Sequence, residues 1–192
     1  MEIVKTCESV NIGHPDKTCD TIADAFLDEA LRQDKNSQMA VECAIKNNKL
    51  FIYGEATTKA KINYEEIARG ILKDIGYKCD FEIVKEISEQ SPDINQAVVK
   101  KALCANDQGI VFGYAVNETE ELMPLPIMVA HKLMKTYESF RRKNELYFAD
   151  AKCQVSVVYE DDIPKEIQTI LISVSHSPKL NKSEIEEDIK DS

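Results

Sequence analysis

Apolar residues return every three to four positions from Ile22 and Ala23 through Phe26, Leu27 and Ala30 to Leu31, the spacing of one helix face. They predict an amphipathic helix from Pro15 to about Gln33. The period then changes. "MAVECAI" and "KLFIYGEATT" flank the polar Lys46-Asn47-Asn48, which predicts an antiparallel hairpin. Helical spacing resumes from Tyr64 to Ile75, where Ile67, Ile71, Leu72 and Ile75 share a face and Gly76 supplies a stop. "FEIVKEI" reads as a strand, "SEQSPDINQ" as a loop, and "AVVKKALCAN" is compatible with a short helix. "GIVFGYA" is a continuous apolar run of strand length. Without polar alternation it is expected in a sheet covered on both faces. After the acidic loop "NETEELMP", Leu125 to Phe140 reads as a largely buried helix. "CQVSVVYE" and "KEIQTILISVSHS" form a second hairpin about "DDIP", followed by the polar stretch "PKLNKSEIEEDIKDS". Two successive hairpin-plus-helix units predict an α+β fold, with antiparallel or mixed sheets covered by helices. The two hairpins hint at an internal repeat, without self-similarity at residue level.

Composition narrows the functional classes. The chain's 192 residues, 43% hydrophobic and 30% charged, suffice for a soluble core in one large or two small domains. No apolar run approaches the ~18–20 residues that span a bilayer, and Met1-Glu2-Ile3-Val4 is not a basic signal start. No membrane association is expected, and a cytoplasmic location is. The net charge of −10 argues against nucleic acid as a partner, since such binding needs a positive field. The basic run Arg141-Arg142-Lys143 closes a predicted helix, where the dipole favours cations, and reads as a solvated face. Six cysteines are scattered through apolar segments with no CxxC pair, the pattern of reduced core thiols.

One short stretch carries candidate chemistry. In "GHPDKTCDTIADAF" proline is favoured at the first helical position, which puts His14 at the N-cap. Gly13 permits a tight approach before it. The free N–H groups and the positive end of the dipole then form an anion site, reinforced by Lys17 and by a protonated His14. Asp16 fits such a site if Mg²⁺ bridges its carboxylate to phosphate oxygens. A plainer reading is equally open: Asp16 complements the dipole and His14 is an incidental cap.

Further segments choose between the two. "CESVNIGHPDKTCDTIADAFLDEAL", "YGEATT", "EIARGILKDIGY", "EQSPDINQAV", "NDQGIVFGYAVNETEELMPLPIMVAHKL" and "DAKCQVSVVY" together resemble the S-adenosylmethionine synthetases, in family order and over nearly the whole chain. The resemblance implies ATP and L-methionine as substrates: the methionine sulfur attacks the ribose 5′ carbon and displaces the triphosphate, which is then hydrolysed. It implies His14, Lys17 and Lys152 as catalytic, with His14, Asp150, Ala151 and Lys152 along the ATP phosphates. It further implies Glu55, Gln90 and Asp107 at the methionine, Asp16 on Mg²⁺ and Glu42 on K⁺. Taken alone, Glu42 is either a strand carboxylate needing a partner or ion, or a solvent-facing one. Lys152 alone is a strand-edge lysine, and Gln90 to about Lys100 is either a gating lid or an ordinary turn. His131 reads as a packing histidine. His176 matches a family "QH", but Ser175 replaces the glutamine, which puts an adenine contact in doubt.

The chain also departs from the family. Its "GAGDQG" is Cys104-Ala105-Asn106-Asp107-Gln108-Gly109 here, with Asn at a glycine position it can tolerate. The lid region is shorter and less glycine-rich. The glycine-rich "GGGAFSGKD" loop and later site residues do not occur. The resemblance therefore implies an N-terminal synthetase domain over 1–108, with a lid at about 90–100, and an incomplete central domain over 109–192. The polar ending reads as the start of the family's next helix. We expect one subunit of a split, hetero-oligomeric synthetase, inactive until a complementary C-terminal subunit completes the site. The alternatives are an inactive regulatory or scaffolding subunit, or a fragment of a single-chain enzyme.

Overall fold

The computed structural model describes residues 1–89 and 108–191. The "AVVKKALCAN" segment, Gln90, Asp107 and the lid lie outside them. The chain forms two compact units, one of Met1–Thr18, Lys73–Lys78 and Tyr114–Ser192, the other of Cys19–Leu72 and Cys79–Gly113. Both are α+β, as the hydrophobic periods imply.

In the second unit, β2 (Gln38–Lys46) and β3 (Lys49–Thr57) form the expected hairpin. Asn47 turns it with φ 55°, a backbone conformation asparagine adopts more readily than most residues. α1 (Pro15–Gln33) and α2 (Tyr64–Ile75) carry the apolar stripes read from the sequence. Ile22, Phe26, Ala30, Leu50, Ile52, Ala68 and Leu72 are buried, and Phe26 meets Tyr64 edge-on at 4.9 Å. Asn63 opens α2 by accepting the Glu66 N–H at 3.3 Å while donating to the Glu66 carboxylate at 2.7 Å, the reciprocal logic of a capping box. Gly76, at φ 104°, ends it. After α2 the chain returns as β4 (Glu82–Ser88), parallel to β3. The sheet order is β2-β3-β4.

The first unit is built on β1 (Glu2–Val10), β5 (Tyr147–Glu160) and β6 (Ile163–His176), all antiparallel neighbours in the order β1-β5-β6. α3 (Leu125–Arg141) and α4 (Lys182–Asp191) join the same core. In β5 Tyr147, Ala149, Ala151, Cys153, Val155 and Val157 alternate inward, and all are buried. α3 is less enclosed than its composition suggested. Only Pro126, Ala130, Met134, Tyr137 and Arg141 are buried, one face of the helix. The polar stretch at the chain's end folds as α4, which sets Ile185 and Ile189 against the core and is tied by Tyr147 Oη donating to Asp188 at 2.8 Å.

One predicted strand does not form. Ile110, Val111 and Phe112 are 84%, 96% and 93% exposed, in a segment without strand pairing. An apolar run becomes a strand only when neighbouring backbone takes its N–H and C=O groups, and among the described residues none does. No described cysteine forms a disulfide, and burial pushes the Cys43 thiol up to about 12, the behaviour of an inert core thiol. No described helix is long and apolar enough to cross a membrane.

Candidate functional site

His14 is the N-cap of α1. Its carbonyl accepts the Thr18 N–H at 2.8 Å, and its own N–H donates to the Asn11 carbonyl at 3.0 Å. Its imidazole Nδ1 accepts the Asp16 N–H at 3.3 Å, the side-chain capping bond expected of a polar N-cap. With Nδ1 accepting, a neutral ring carries its proton on Nε2. The Asp16 carboxylate stands 4.0 Å from Nδ1 and is 90% exposed, whereas the His14 side chain is 24% exposed. Lys17 is exposed beside them, and Thr18 is buried with its hydroxyl on the Ile12 carbonyl at 3.1 Å.

The turn before this helix is clamped to β5. A Cβ on Gly13 would lie 2.2 Å from the Ala149 Cβ and 2.5 Å from its carbonyl carbon, so only glycine fits there. Tyr77 Oη donates to the Gly13 carbonyl at 2.8 Å. Asn11, buried, donates its backbone N–H to the Ala151 carbonyl at 2.8 Å. Its side-chain amide donates to the Ala149 carbonyl at 2.9 Å and to the Glu138 carboxylate at 2.7 Å. The bonds straddle Asp150, where the β5–β6 register is irregular between Tyr147 and Ala151. The predicted His14, Asp16, Lys17 and the Asp150-Ala151-Lys152 motif are therefore held on one frame. Asp150 is half-buried and Ala151 buried. Lys152, opposite Val10, is exposed and reaches Glu8 at 3.5 Å.

Glu138 anchors this frame from α3. Burial pushes its carboxyl up, but hydrogen bonds from Arg141 and Asn11 outweigh it and hold the group below the usual glutamate range. Arg141 meets Glu138 at 2.6 Å and donates to the Ile75 carbonyl at 2.7 Å. It is buried, which corrects its reading as part of a solvated basic face: Arg142, 53% exposed, fits that reading, and Arg141 does not. Asn11, Glu138 and Tyr77 were absent from the sequence-based site because their contacts join segments distant in sequence. Asn11, two residues before Gly13, was the only one with a local hint. His131 is exposed, and its Nδ1 lies 2.9 Å from the Ser9 hydroxyl. His176 lies at the end of β6, its Nδ1 2.9 Å from the Ser177 carbonyl.

The other predicted carboxylates belong to the second unit. Register puts Glu42 opposite Tyr53 and Glu55 opposite Ala40, so the two share one face of β2–β3 on a diagonal. Glu42 is exposed and Glu55 half-buried. Gly54 precedes Glu55 at φ 134°, where a Cβ would stand 2.0 Å from the Ala40 carbonyl oxygen. A larger residue there would push the strands apart and displace Glu55.

No group of three or more His, Cys, Asp or Glu side chains able to hold a metal occurs among the described residues. A protein cage is thus absent there. A lone exposed carboxylate such as Asp16 fits Mg²⁺ in the mode where phosphate oxygens and water complete the coordination. Glu42 likewise offers K⁺ only one carboxylate.

Comparison with known proteins covers nearly the whole chain. Residues 2–102 match the model of the S-adenosylmethionine synthetase N-terminal domain, and residues 102–192 that of the central domain. The S-adenosylmethionine synthase of Desulfosudis oleivorans is 44% identical, over 96% of this chain and 51% of its own length. Those of Brachyspira hyodysenteriae and Prochlorococcus marinus (strain AS9601) are 42% and 40% identical, over 95% and 98% of this chain and 52% and 51% of theirs. The chain spans about half the length of the curated relatives it matches. It belongs to the S-adenosylmethionine synthetase family.

Proposed function

We propose that this chain supplies one wall of a methionine adenosyltransferase site and works as a cytoplasmic subunit of a split, hetero-oligomeric synthetase. A complementary polypeptide, equivalent to the half of the relatives it does not span, completes the site. The observation that carries this reading is the N-capping imidazole of His14, clamped by Gly13 and Asn11 to the strand bearing Asp150 and Lys152.

In this reading ATP lies with its triphosphate against the α1 N-terminus. The methionine sulfur attacks the ribose 5′ carbon, the C5′–O bond breaks, and the electron pair leaves with the triphosphate. His14, Lys17 and Lys152 stabilise charge gathering on the leaving oxygen and phosphates, the electrostatic and positional catalysis such a displacement needs. Asp150 and Ala151 line the phosphate chain. Glu55, with Gln90 and Asp107, holds methionine. Asp16 would hold Mg²⁺, which neutralises phosphate charge when bound, and Glu42 would hold K⁺. Hydrolysis then yields phosphate and diphosphate.

The test is complementation. The chain alone forms no S-adenosylmethionine from ATP and methionine, and adding the complementary polypeptide restores synthesis. His14→Ala in the restored assembly lowers kcat by about a hundredfold or more, the scale of losing one preorganised donor. Restored synthesis unaffected by that substitution would remove His14 from the mechanism. A complex that forms without synthesis would point to a regulatory subunit instead.

A further inference from the structure

β5 is not a plain strand where it passes the site. Tyr147 pairs with His176 and Ala151 with Val174, so β5 advances four residues while β6 advances two. The register gives Phe148, Ala149 and Asp150 no partner on β6, and pairing with β1 stops where Val10 meets Lys152. Bulges of this kind re-aim a side chain, and here the residue at the end of the bulge is Asp150.

The carbonyls of this stretch accept from groups outside the sheet. Tyr137 Oη, on α3, donates to the Phe148 carbonyl at 2.7 Å. The Asn11 side-chain amide donates to the Ala149 carbonyl at 2.9 Å, and its backbone N–H to the Ala151 carbonyl at 2.8 Å. Both donors are themselves fixed. Tyr137 is 3% exposed, with its ring edge-on to Tyr147 at 6.5 Å. Asn11 is also 3% exposed, and its amide reaches Glu138 at 2.7 Å, a carboxylate that Arg141 holds at 2.6 Å. Buried donors locked by packing and by further hydrogen bonds are the means by which a scaffold holds a functional side chain to a small fraction of its free range. Grips from two elements, on carbonyls to both sides of Asp150, fix the direction of that residue as one grip could not.

We infer that Asn11 and Tyr137 are positioning residues of the adenosyl-transfer site: they touch no substrate and act by holding the β5 bulge so that Asp150 lies along the triphosphate. The inference rests on the proposed function. Asp150 and Lys152 stand two apart on β5 and share a face, so a turned bulge moves one against the other. A misplacement of about 1 Å can cost a hundredfold in rate when the reaction depends on positioning.

The test uses the assembly of this chain with a polypeptide comprising the half of the Desulfosudis oleivorans synthase that this chain does not match. Asn11→Ala removes the grip on Ala149 and keeps the backbone bond to Ala151. Tyr137→Phe removes one hydroxyl and keeps the ring. Well below the melting midpoint, each lowers kcat by about tenfold or more and changes the methionine KM by less than about twofold. In an Asp150→Asn background neither substitution lowers kcat further, because the group through which both act is already lost. The same cycle run on ATP affinity by calorimetry needs no turnover and shows the same loss of additivity. An assembly that makes S-adenosylmethionine, and whose single variants keep wild-type kcat and ATP affinity, overturns the positioning role and leaves the functional reading standing. Losses that add in full to that of Asp150→Asn assign the two residues to the fold alone and overturn the role as well. Where Asn11→Ala fails to fold, Tyr137→Phe decides. A wild-type assembly without synthesis overturns the functional reading and the positioning role with it.

Discussion

Gly13 decides how closely the α1 entrance approaches β5. Gly13→Ala would drive a methyl into the Ala149 backbone and is expected to cost about 1–3 kcal/mol, read as a lower urea midpoint at unchanged m-value. The next residue separates capping from chemistry. Asparagine at position 14 keeps a cap acceptor, whereas His14→Ala loses about 1 kcal/mol of helix stability. His14→Asn should therefore keep the wild-type melting midpoint and still abolish adenosyl transfer in the complemented enzyme. Full activity in that variant would reduce His14 to a cap. At this scale Pro15, Asp16 and Lys17 were legible because helix-end rules are local. Asn11 and Glu138 were not, since their hydrogen bond joins residues 127 positions apart.

Elements held by neighbours in sequence were read well and elements held by remote partners were not. Both hairpins, α1 and α2 follow from period and turn residues alone. β1 was not read as a strand, because its partner β5 lies far along the chain. Ile110 to Tyr114 shows the converse: apolarity was read as a strand where no edge among the described residues receives one. α3 also carries one pH response of the fold. The Glu138 carboxyl is depressed in the folded state, so its contribution to stability is complete above the ordinary glutamate value of about 4.3 and is lost as pH falls through the lower folded value. Wild type should exceed Glu138→Gln in unfolding free energy at neutral pH, and the gap should close as pH drops below about 4. A gap independent of pH would mean that the carboxylate charge contributes nothing.

For the whole molecule, charge sets the terms of any encounter with ATP. At net charge −10 the chain as a whole repels a polyphosphate, so the proposed site depends on the local positive charge of Lys17, Lys152 and the α1 dipole. Magnesium is expected to tip that balance. Chelation with EDTA should weaken ATP binding to the complemented assembly by about tenfold or more in calorimetry, and unchanged affinity would remove Asp16 from a metal role.

The placement of β1 has a consequence for how the protein is made. The N-terminal strand is synthesised first, yet its partner in β5 comes about 150 residues later, as the Thr6–Ser156 contact illustrates. At roughly 5–20 residues per second, a ribosome leaves β1 waiting roughly 8 to 30 seconds for that partner. Over the same interval β2, β3 and β4 can pair among themselves. The turn carrying His14 sits between these two schedules: its cap bonds are local, and its clamp to Ala149 and Ala151 forms only when the late strand arrives.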